Sequence, residues 1–258
     1  MGYPYNPRVG DNYRYEKDSS KPFKVSRTKI ELFYNCPTCF YKDARLGLRL
    51  PPSPSWAINS AVDSLLKKEM DFCRKENRPH GIFTENGLDI KPFHHPDIEK
   101  WQNAFHGIQY LDEKHNFLLY GGVDDIMVDE KERLVVIDFK ATAKTSEIVS
   151  PSDVYDNGEG YKRQLEIYSW LLQQNGFPVS ELGYLLYYNG DAGQPHLGTK
   201  MIFRRSLVSF NLDTSWINPL IAEMYHCLQQ EEIPSYNEEC RSEEHTSELQ
   251  SRPHISYA

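Results

Sequence analysis

The sequence predicts an α/β protein. Residues 116–141 contain two apolar, strand-like runs, NFLLYGGVDDIMV and LVVIDFKA, on either side of the charged stretch DEKER. Such a pattern is typical of a β-hairpin. Residues 54–76 before it and residues 164–174 after it carry apolar side chains at the 3.6-residue period of an amphipathic helix. Strands and long helices in one chain indicate the α/β class.

The elements before the hairpin are predicted from capping and helix-breaking residues. Residues 1–25 are rich in Tyr, Pro, Lys and Asp and lack apolar periodicity, so we predict an extended N-terminal arm. Ser26 is a good N-cap for a helix that Pro37 interrupts, and a second short helix is predicted after Pro37. The helix over residues 54–76 is predicted to have an apolar face that includes Trp56, Ile58, Ala61, Leu65, Met70 and Phe72.

The elements after the hairpin alternate between helix and strand. Residues 164–174 (QLEIYSWLLQQ) predict a helix, and residues 182–189 (LGYLLYYN) predict a strand. A further strand fits residues 199–210. Asp213 is the predicted cap of a last helix, which Pro234 stops.

Length and composition restrict the classes of function. With 258 residues, one main domain is expected. The chain has 26% charged residues, no apolar run near the roughly 18 residues of a membrane span and no N-terminal secretion signal, so we expect a cytoplasmic protein without membrane contact. A net charge of -8 argues against binding of nucleic acid by bulk charge, so any DNA site must be locally basic.

The last residues and the cysteines carry separate expectations. Residues 241–258 contain RSEEHTSELQS and end in ISYA, and they resemble translated sequencing-adapter sequence. We therefore predict a disordered, artefactual tail over residues 241–258 and a main domain that is truncated at its C-terminus. Five cysteines in a chain of this size predict reduced thiols.

The chemistry that the hairpin suggests comes from its register. If the turn is centred on Lys131, antiparallel pairing brings Asp124 opposite Asp138. Facing carboxylates destabilise a hairpin unless a cation lies between them, and a divalent metal ion is the usual solution. Lys140 shares the face of Asp138 because side chains alternate along a strand. Phosphodiester cleavage requires such a set, although a solvated sheet face with Lys140 as an ion-pair partner explains the same residues.

A second pair of candidate residues lies on the helix after the hairpin. Gln164 and Tyr168 are four residues apart, so they project from the same helical face. They are compatible with a shared functional site. They are also compatible with an ordinary half-buried helix face.

Together these segments resemble the RecB-like branch of the PD-(D/E)XK nuclease superfamily. The resemblance rests on GGVDDI at 121–126, IDFK at 137–140 and QLEIY at 164–168, in the family's order, and on SRTKIELFYNCPTCFYK at 26–42. It implies a restriction-endonuclease-like fold, with a mixed central β-sheet flanked by α-helices. The PD-(D/E)XK nuclease-like domain would cover residues 26–240.

The same resemblance implies roles for five residues. Asp124 and Asp138 would be ligands of Mg²⁺ or Mn²⁺, Lys140 would be the catalytic lysine, and the pair Gln164 and Tyr168 would orient DNA or the active site.

Two ligand questions follow from the resemblance. Many relatives carry a metal-binding His in the upstream helix, where this chain has none, and Asp63 is the nearest replacement. Glu69 competes with Asp63, and a solvated helix residue is the alternative. Some relatives hold an iron–sulfur cluster through one cysteine before the core and three near the C-terminus. Cys36 and Cys240 have suitable positions, but the apparent truncation directly after Cys240 would have removed the remaining ligands, so we predict no cluster.

The implied activity is metal-dependent hydrolysis of DNA by a deoxyribonuclease, in DNA repair, recombination or defence. DNA is the expected partner, and a helicase or other repair protein is a further candidate partner. An alternative is a catalytically inactive nuclease-fold module that binds nucleic acid or a partner protein. A third interpretation is an unrelated α/β domain with a coincidental hairpin, in which the two aspartates are too far apart to share an ion.

Overall fold

A computed structural model describes residues 14–48, 57–196 and 198–235. Within these residues the chain divides into two compact units: residues 14–48, 111–118 and 218–235 form the first, and residues 57–110, 119–196 and 198–217 form the second. The predicted tail at 241–258, Cys240, Trp56 and the first thirteen residues of the predicted arm lie outside the described residues. The predicted boundary at residue 26 stays a prediction.

The first unit begins with strand β1 (Phe23–Ser26), followed by helices α1 (Arg27–Asn35) and α2 (Pro37–Ala44). The two short helices predicted around Pro37 are therefore confirmed. The Ser26 hydroxyl accepts the backbone N–H of Lys29 at 3.3 Å, as an N-cap does, and Pro37 occupies the first turn of α2. Most of helix α7 (Ile217–Gln229) also lies in this unit, and the Tyr41 hydroxyl of α2 donates to the carbonyl oxygen of Gln230 just beyond it.

The second unit contains a five-stranded sheet in the order β2-β5-β6-β7-β8. Strands β6 and β7 are parallel and the other neighbours are antiparallel, so the sheet is mixed. Helices α3 and α6 pack against it. The predicted mixed central sheet flanked by helices is confirmed. The bounds are: α3 Ala57–Lys75, α4 Gly81–Glu85, β2 Ile90–Pro92, α5 Ile98–Trp101, β3 Ile108–Asp112, β4 Phe117–Gly121, β5 Asp125–Asp129, β6 Leu134–Thr142, α6 Glu159–Gln174, β7 Leu182–Gly190 and β8 Phe203–Asn211.

The first strand of the predicted hairpin is in fact two strands. β4 belongs to a separate three-stranded sheet, and only β5 pairs with β6. The break occurs because the chain at Gly122 passes close to another segment: a Cβ atom there would lie 2.8 Å from the Cα of Ala104. Next to it, the N–H of Val123 donates to the carbonyl oxygen of Trp101 at 3.0 Å. These close contacts lie where the chain leaves β4 of the three-stranded sheet and enters β5 of the five-stranded sheet.

The predicted register of the hairpin is confirmed. Asp125 pairs with Ile137 and Val128 with Leu134, so the turn is centred on Lys131. Asp124 lies just before the paired residues of β5, and its carboxylate contacts the backbone of Phe139, next to Asp138.

The predicted apolar face of α3 is wrong in part. Ile58, Leu65 and Phe72 are each more than half exposed, whereas Met70 is fully buried. Val62, Leu66 and Cys73 are also buried, and together with Met70 they follow one another at spacings of three or four residues. The helix therefore has two apolar stripes, one that contains Leu65 and one that contains Leu66. The stripe with Leu66 is the buried one, because it packs against residues of the central sheet such as Ile137.

The last elements agree with their predicted type and differ at their starts. β8 begins at Phe203 rather than at residue 199. α7 begins at Ile217, because the Asp213 carboxylate accepts the N–H of Ser215 in a turn before the helix instead of capping it. Within the described residues, no helix is both long enough and apolar enough to cross a membrane.

Candidate active site

Asp124 and Asp138 lie next to each other on neighbouring strands of the central sheet, Asp124 just before β5 and Asp138 within β6. Asp124 directly precedes β5, and its Oδ2 accepts the backbone N–H of Phe139 at 2.7 Å. Asp138 is 2% exposed. The hydrogen bond to the β6 backbone holds the Asp124 carboxylate against the strand that carries Asp138.

Both oxygens of Asp138 have cationic or amide partners. Gln164 of α6 donates through Nε2 to Asp138 Oδ1 at 2.6 Å, and the same nitrogen donates to the Tyr168 hydroxyl at 3.2 Å. The other oxygen of Asp138 forms an ion pair with Lys140. Gln164 and Tyr168, which spacing predicts on one face of a helix, therefore lie at Asp138, because α6 packs against β6.

Lys140 stays charged in this setting. Burial works to lower the pKa of its ammonium group, but the charge and hydrogen bond of Asp138, together with the charge of Asp124, more than offset burial and raise it. The ammonium nitrogen also lies 4.6 Å from the centre of the Tyr161 ring, a cation–π distance. The site thus holds a permanent positive charge next to its carboxylates.

The charge of Asp138 disfavours ionisation of Asp124. Burial, and then the charge of Asp138, raise the pKa of Asp124 to about 8, against the lowering effects of the Phe139 N–H and of Lys140. At neutral pH the metal-free Asp124 is therefore mostly protonated. A divalent cation would offset the charge of Asp138 and let Asp124 ionise, so the donor chemistry of this pair fits Mg²⁺ or Mn²⁺.

A lysine that sequence reasoning missed stands between Asp124 and Asp63. Lys67 of α3 places its ammonium 3.0 Å from Asp63 Oδ2 and 3.8 Å from Asp124 Oδ1. Its signal in the sequence was its spacing of four residues from Asp63. Glu69, the competitor of Asp63, instead lies 3.1 Å from His80 Nε2.

The structure does not group Asp63 with the two hairpin carboxylates as a set of ligands. Across residues 14–48, 57–196 and 198–235, no cluster of three or more His, Cys, Asp and Glu side chains is arranged to hold a metal. A cation at Asp124 and Asp138 would complete its shell with backbone, water or phosphate oxygens, which are the ligands that Mg²⁺ commonly retains.

The second aspartate of the Asp124-Asp125 pair has a different environment. Asp125 is fully buried and forms an ion pair with Arg74 of α3, which also pairs with Asp71 and donates to the carbonyl oxygen of Phe93 at 2.8 Å. Burial raises the pKa of Asp125 to about 6, although Arg74 opposes the shift. This buried contact ties α3 to the strand that follows Asp124.

The described cysteines are buried and form no disulfide: Cys36, Cys39, Cys73 and Cys227. The Cys36 sulfur accepts the N–H of Cys39 at 3.4 Å, which caps α2. These thiols serve as packing and capping groups within their units.

Comparison with known proteins identifies the family. No curated protein sequence matches the chain. A family model described as the PD-(D/E)XK nuclease superfamily matches residues 57–245, which contain the candidate residues Asp63, Asp124, Asp138, Lys140, Gln164 and Tyr168. Because this match covers well over half of the chain and the mixed sheet agrees with that fold, the protein belongs to the PD-(D/E)XK nuclease superfamily.

Proposed function

We propose that this protein is a metal-dependent deoxyribonuclease that hydrolyses phosphodiester bonds. Membership of the superfamily implies a nuclease-type hydrolase. The observation that carries the finer proposal is the contact network in which Asp138 is bonded to Lys140 and Gln164, while Asp124 accepts the N–H of the adjacent Phe139. Carboxylates beside a permanent cation are the groups that phosphodiester cleavage requires.

In the proposed mechanism, Asp124 and Asp138 would hold Mg²⁺ or Mn²⁺. When bound, such an ion polarises the phosphate and lowers the pKa of an attacking water. Lys140 stabilises the negative charge that develops on the phosphate oxygens, because its ammonium stays protonated beside Asp138. Gln164 keeps the Asp138 carboxylate in one orientation through its 2.6 Å hydrogen bond, and Tyr168 in turn accepts from Gln164.

Asp63 and Lys67 extend the site along α3. Asp63 is proposed as an outer acidic group that acts through Lys67 or through water. Lys67 supplies a second positive charge within 3.8 Å of Asp124, which favours the approach of a phosphate backbone despite the net charge of -8.

The cellular role follows from the RecB-like sequence motifs. On that basis we propose action on DNA in repair, recombination or defence, in the cytoplasm, with a helicase or other repair protein as a candidate partner. Exonuclease action is proposed on the same ground.

A second candidate function is a nuclease-fold module that binds nucleic acid or a partner protein without cutting. Two observations favour it: Lys67, not a third carboxylate, lies 3.8 Å from Asp124 Oδ1, and within the described residues no group of three or more His, Cys, Asp and Glu side chains is arranged to hold a metal. A DNA cleavage assay distinguishes the binding module from the nuclease, because only the nuclease cuts DNA.

The test follows linear single- and double-stranded DNA in Mg²⁺, Mn²⁺ or EDTA. We expect the wild-type chain to cut only with metal and Lys140→Ala to lose cutting by at least about 100-fold, as removal of a charge-stabilising group does. Lys131→Ala is the matched control, because Lys131 is an exposed lysine at the turn of the same hairpin. A folded wild-type chain that binds DNA without cutting it would support the binding module instead.

A further inference from the structure

A cavity of about 300 Å³ opens beside Lys140. Tyr155, Tyr161 and Tyr187 border it, and Val62 and Ile148 add apolar surface. Lys140 itself lines the cavity while it pairs with Asp138. The space is therefore continuous with the candidate active site.

The charged groups around the cavity are engaged with partners of their own. Lys144 donates to the carbonyl oxygen of Asp153 at 2.6 Å, and the Asp153 carboxylate accepts the N–H of Ser150 at 2.8 Å. Asp63 is paired with Lys67. The charge of Lys144 is offset by nearby Asp153 and that of Asp63 by Lys67, so an uncharged ligand that can lie against the tyrosine rings suits the interior.

Tyr155 is displayed at this cavity by an unusual backbone. Its side chain is 73% exposed, and the next three residues, Asp156, Asn157 and Gly158, all have left-handed φ angles of 52°, 48° and 74°. Non-glycine residues rarely adopt this conformation, and such strain is concentrated at functional positions.

The loop before Tyr155 is fixed to the sheet. Asn189 of β7 donates through Nδ2 to the carbonyl oxygens of Lys144 at 3.0 Å and Ser146 at 3.2 Å. Arg204 of β8 donates to the same Lys144 oxygen at 3.0 Å. The part of the wall at Lys144 is thus held in place before a ligand binds, which lowers the entropic cost of holding one there.

We propose that this cavity binds one unpaired nucleobase, stacked on Tyr155, of the DNA strand whose neighbouring phosphate lies at Lys140. The inference rests on the proposed function and specifies its substrate. A base inside a duplex must leave the stack to enter a walled cavity, whereas a single-stranded base enters without that cost. The protein therefore selects single strands and unpaired ends over intact duplex.

The test measures binding separately from cutting. Fluorescence anisotropy in EDTA compares a labelled single-stranded oligonucleotide with a blunt duplex of the same sequence, for the full chain and its variants. Wild-type protein binds the single strand more tightly. Tyr155→Ala weakens single-strand binding by about tenfold, within the range for loss of one base–aromatic stack, and leaves duplex binding unchanged. Tyr155→Phe retains the ring and the affinity.

Phe105→Ala is the matched control, since Phe105 is an exposed aromatic residue of the same unit that does not border the cavity. Equal losses in Tyr155→Ala and Phe105→Ala, or equal losses for single strand and duplex, overturn the nucleobase site. If wild-type protein cuts DNA and Tyr155→Ala keeps the wild-type preference between strands, the nucleobase site is wrong and the nuclease function stands. If wild-type protein neither binds nor cuts DNA, both are wrong.

Discussion

Replacement of Asp124 by Asn should stabilise the metal-free protein while it removes metal binding. Asn preserves the shape of the side chain and an oxygen that accepts the Phe139 N–H. It also abolishes the cost of ionising a carboxyl group beside Asp138. Because burial and Asp138 raise the pKa of Asp124 from 3.8 to about 8, the folded state retains a proton that the unfolded state releases above pH 3.8.

The sign and the size of the effect follow from proton linkage. Between pH 3.8 and 8 the native wild-type chain binds more protons than the unfolded chain, so its free energy of unfolding falls as pH rises. At about 1.4 kcal/mol per pKa unit, the upper limit at pH 7 is about 4 kcal/mol. The Asp124 side chain is 24% exposed, so water reduces this figure, and we expect about 1–3 kcal/mol.

Thermal unfolding in EDTA at pH 5 and pH 7 measures the effect. Asp124→Asn should unfold at a higher temperature than wild type at pH 7, by about 4–8 °C for ~2 kcal/mol, and the difference should shrink at pH 5. Added Mg²⁺ should raise the Tm of the wild type, since a ligand of the native state stabilises it, and should leave the variant unchanged.

Asp129→Asn is a control for which the expected change in the free energy of unfolding has the opposite sign. Although burial opposes the shift, hydrogen bonds from Arg133 lower the pKa of Asp129, so its ionised form contributes stability that is present above the unfolded pKa and lost as pH falls through the lower folded value. This variant should be less stable than wild type at pH 7. The reasoning is refuted if Asp124→Asn is no more stable than wild type at pH 7 in EDTA, or if the difference fails to grow with pH.

Three further predictions test other contacts. Gln164→Ala should lower cleavage by about 10–100-fold, because it removes the orienting bond to a metal ligand; an unchanged rate in a cleavage assay would contradict this role. Arg74→Ala should lower the free energy of unfolding by about 3–5 kcal/mol in urea, since it leaves Asp125 buried and unpaired, and a loss below about 1 kcal/mol would show that the pair is not buried in solution. Met70→Ala should cost about 2–5 kcal/mol and Phe72→Ala less than about 1 kcal/mol, and the reverse order would restore the apolar face predicted from sequence.

The local parts of the fold could be predicted from sequence. The hairpin register follows from a turn centred on Lys131 and a side-chain period of two, both of which are properties of neighbouring residues. The helices around Pro37 follow from the Ser26 cap and the proline itself. Spacing along each element also predicts which candidate residues of the hairpin and of α6 share a face, whereas their proposed roles come from the resemblance to the nuclease family.

The features that only the tertiary structure decided depend on contacts between residues that are far apart in the sequence. Lys67 reaches Asp124 because α3 packs on the central sheet, and the same packing buries Met70 instead of Phe72. The break at Gly122 depends on a segment that precedes it by almost twenty residues. Periodicity along an element is set by backbone geometry and can be read locally, whereas the choice of buried face, ion-pair partner and cavity wall is made by whichever surface the fold brings against it.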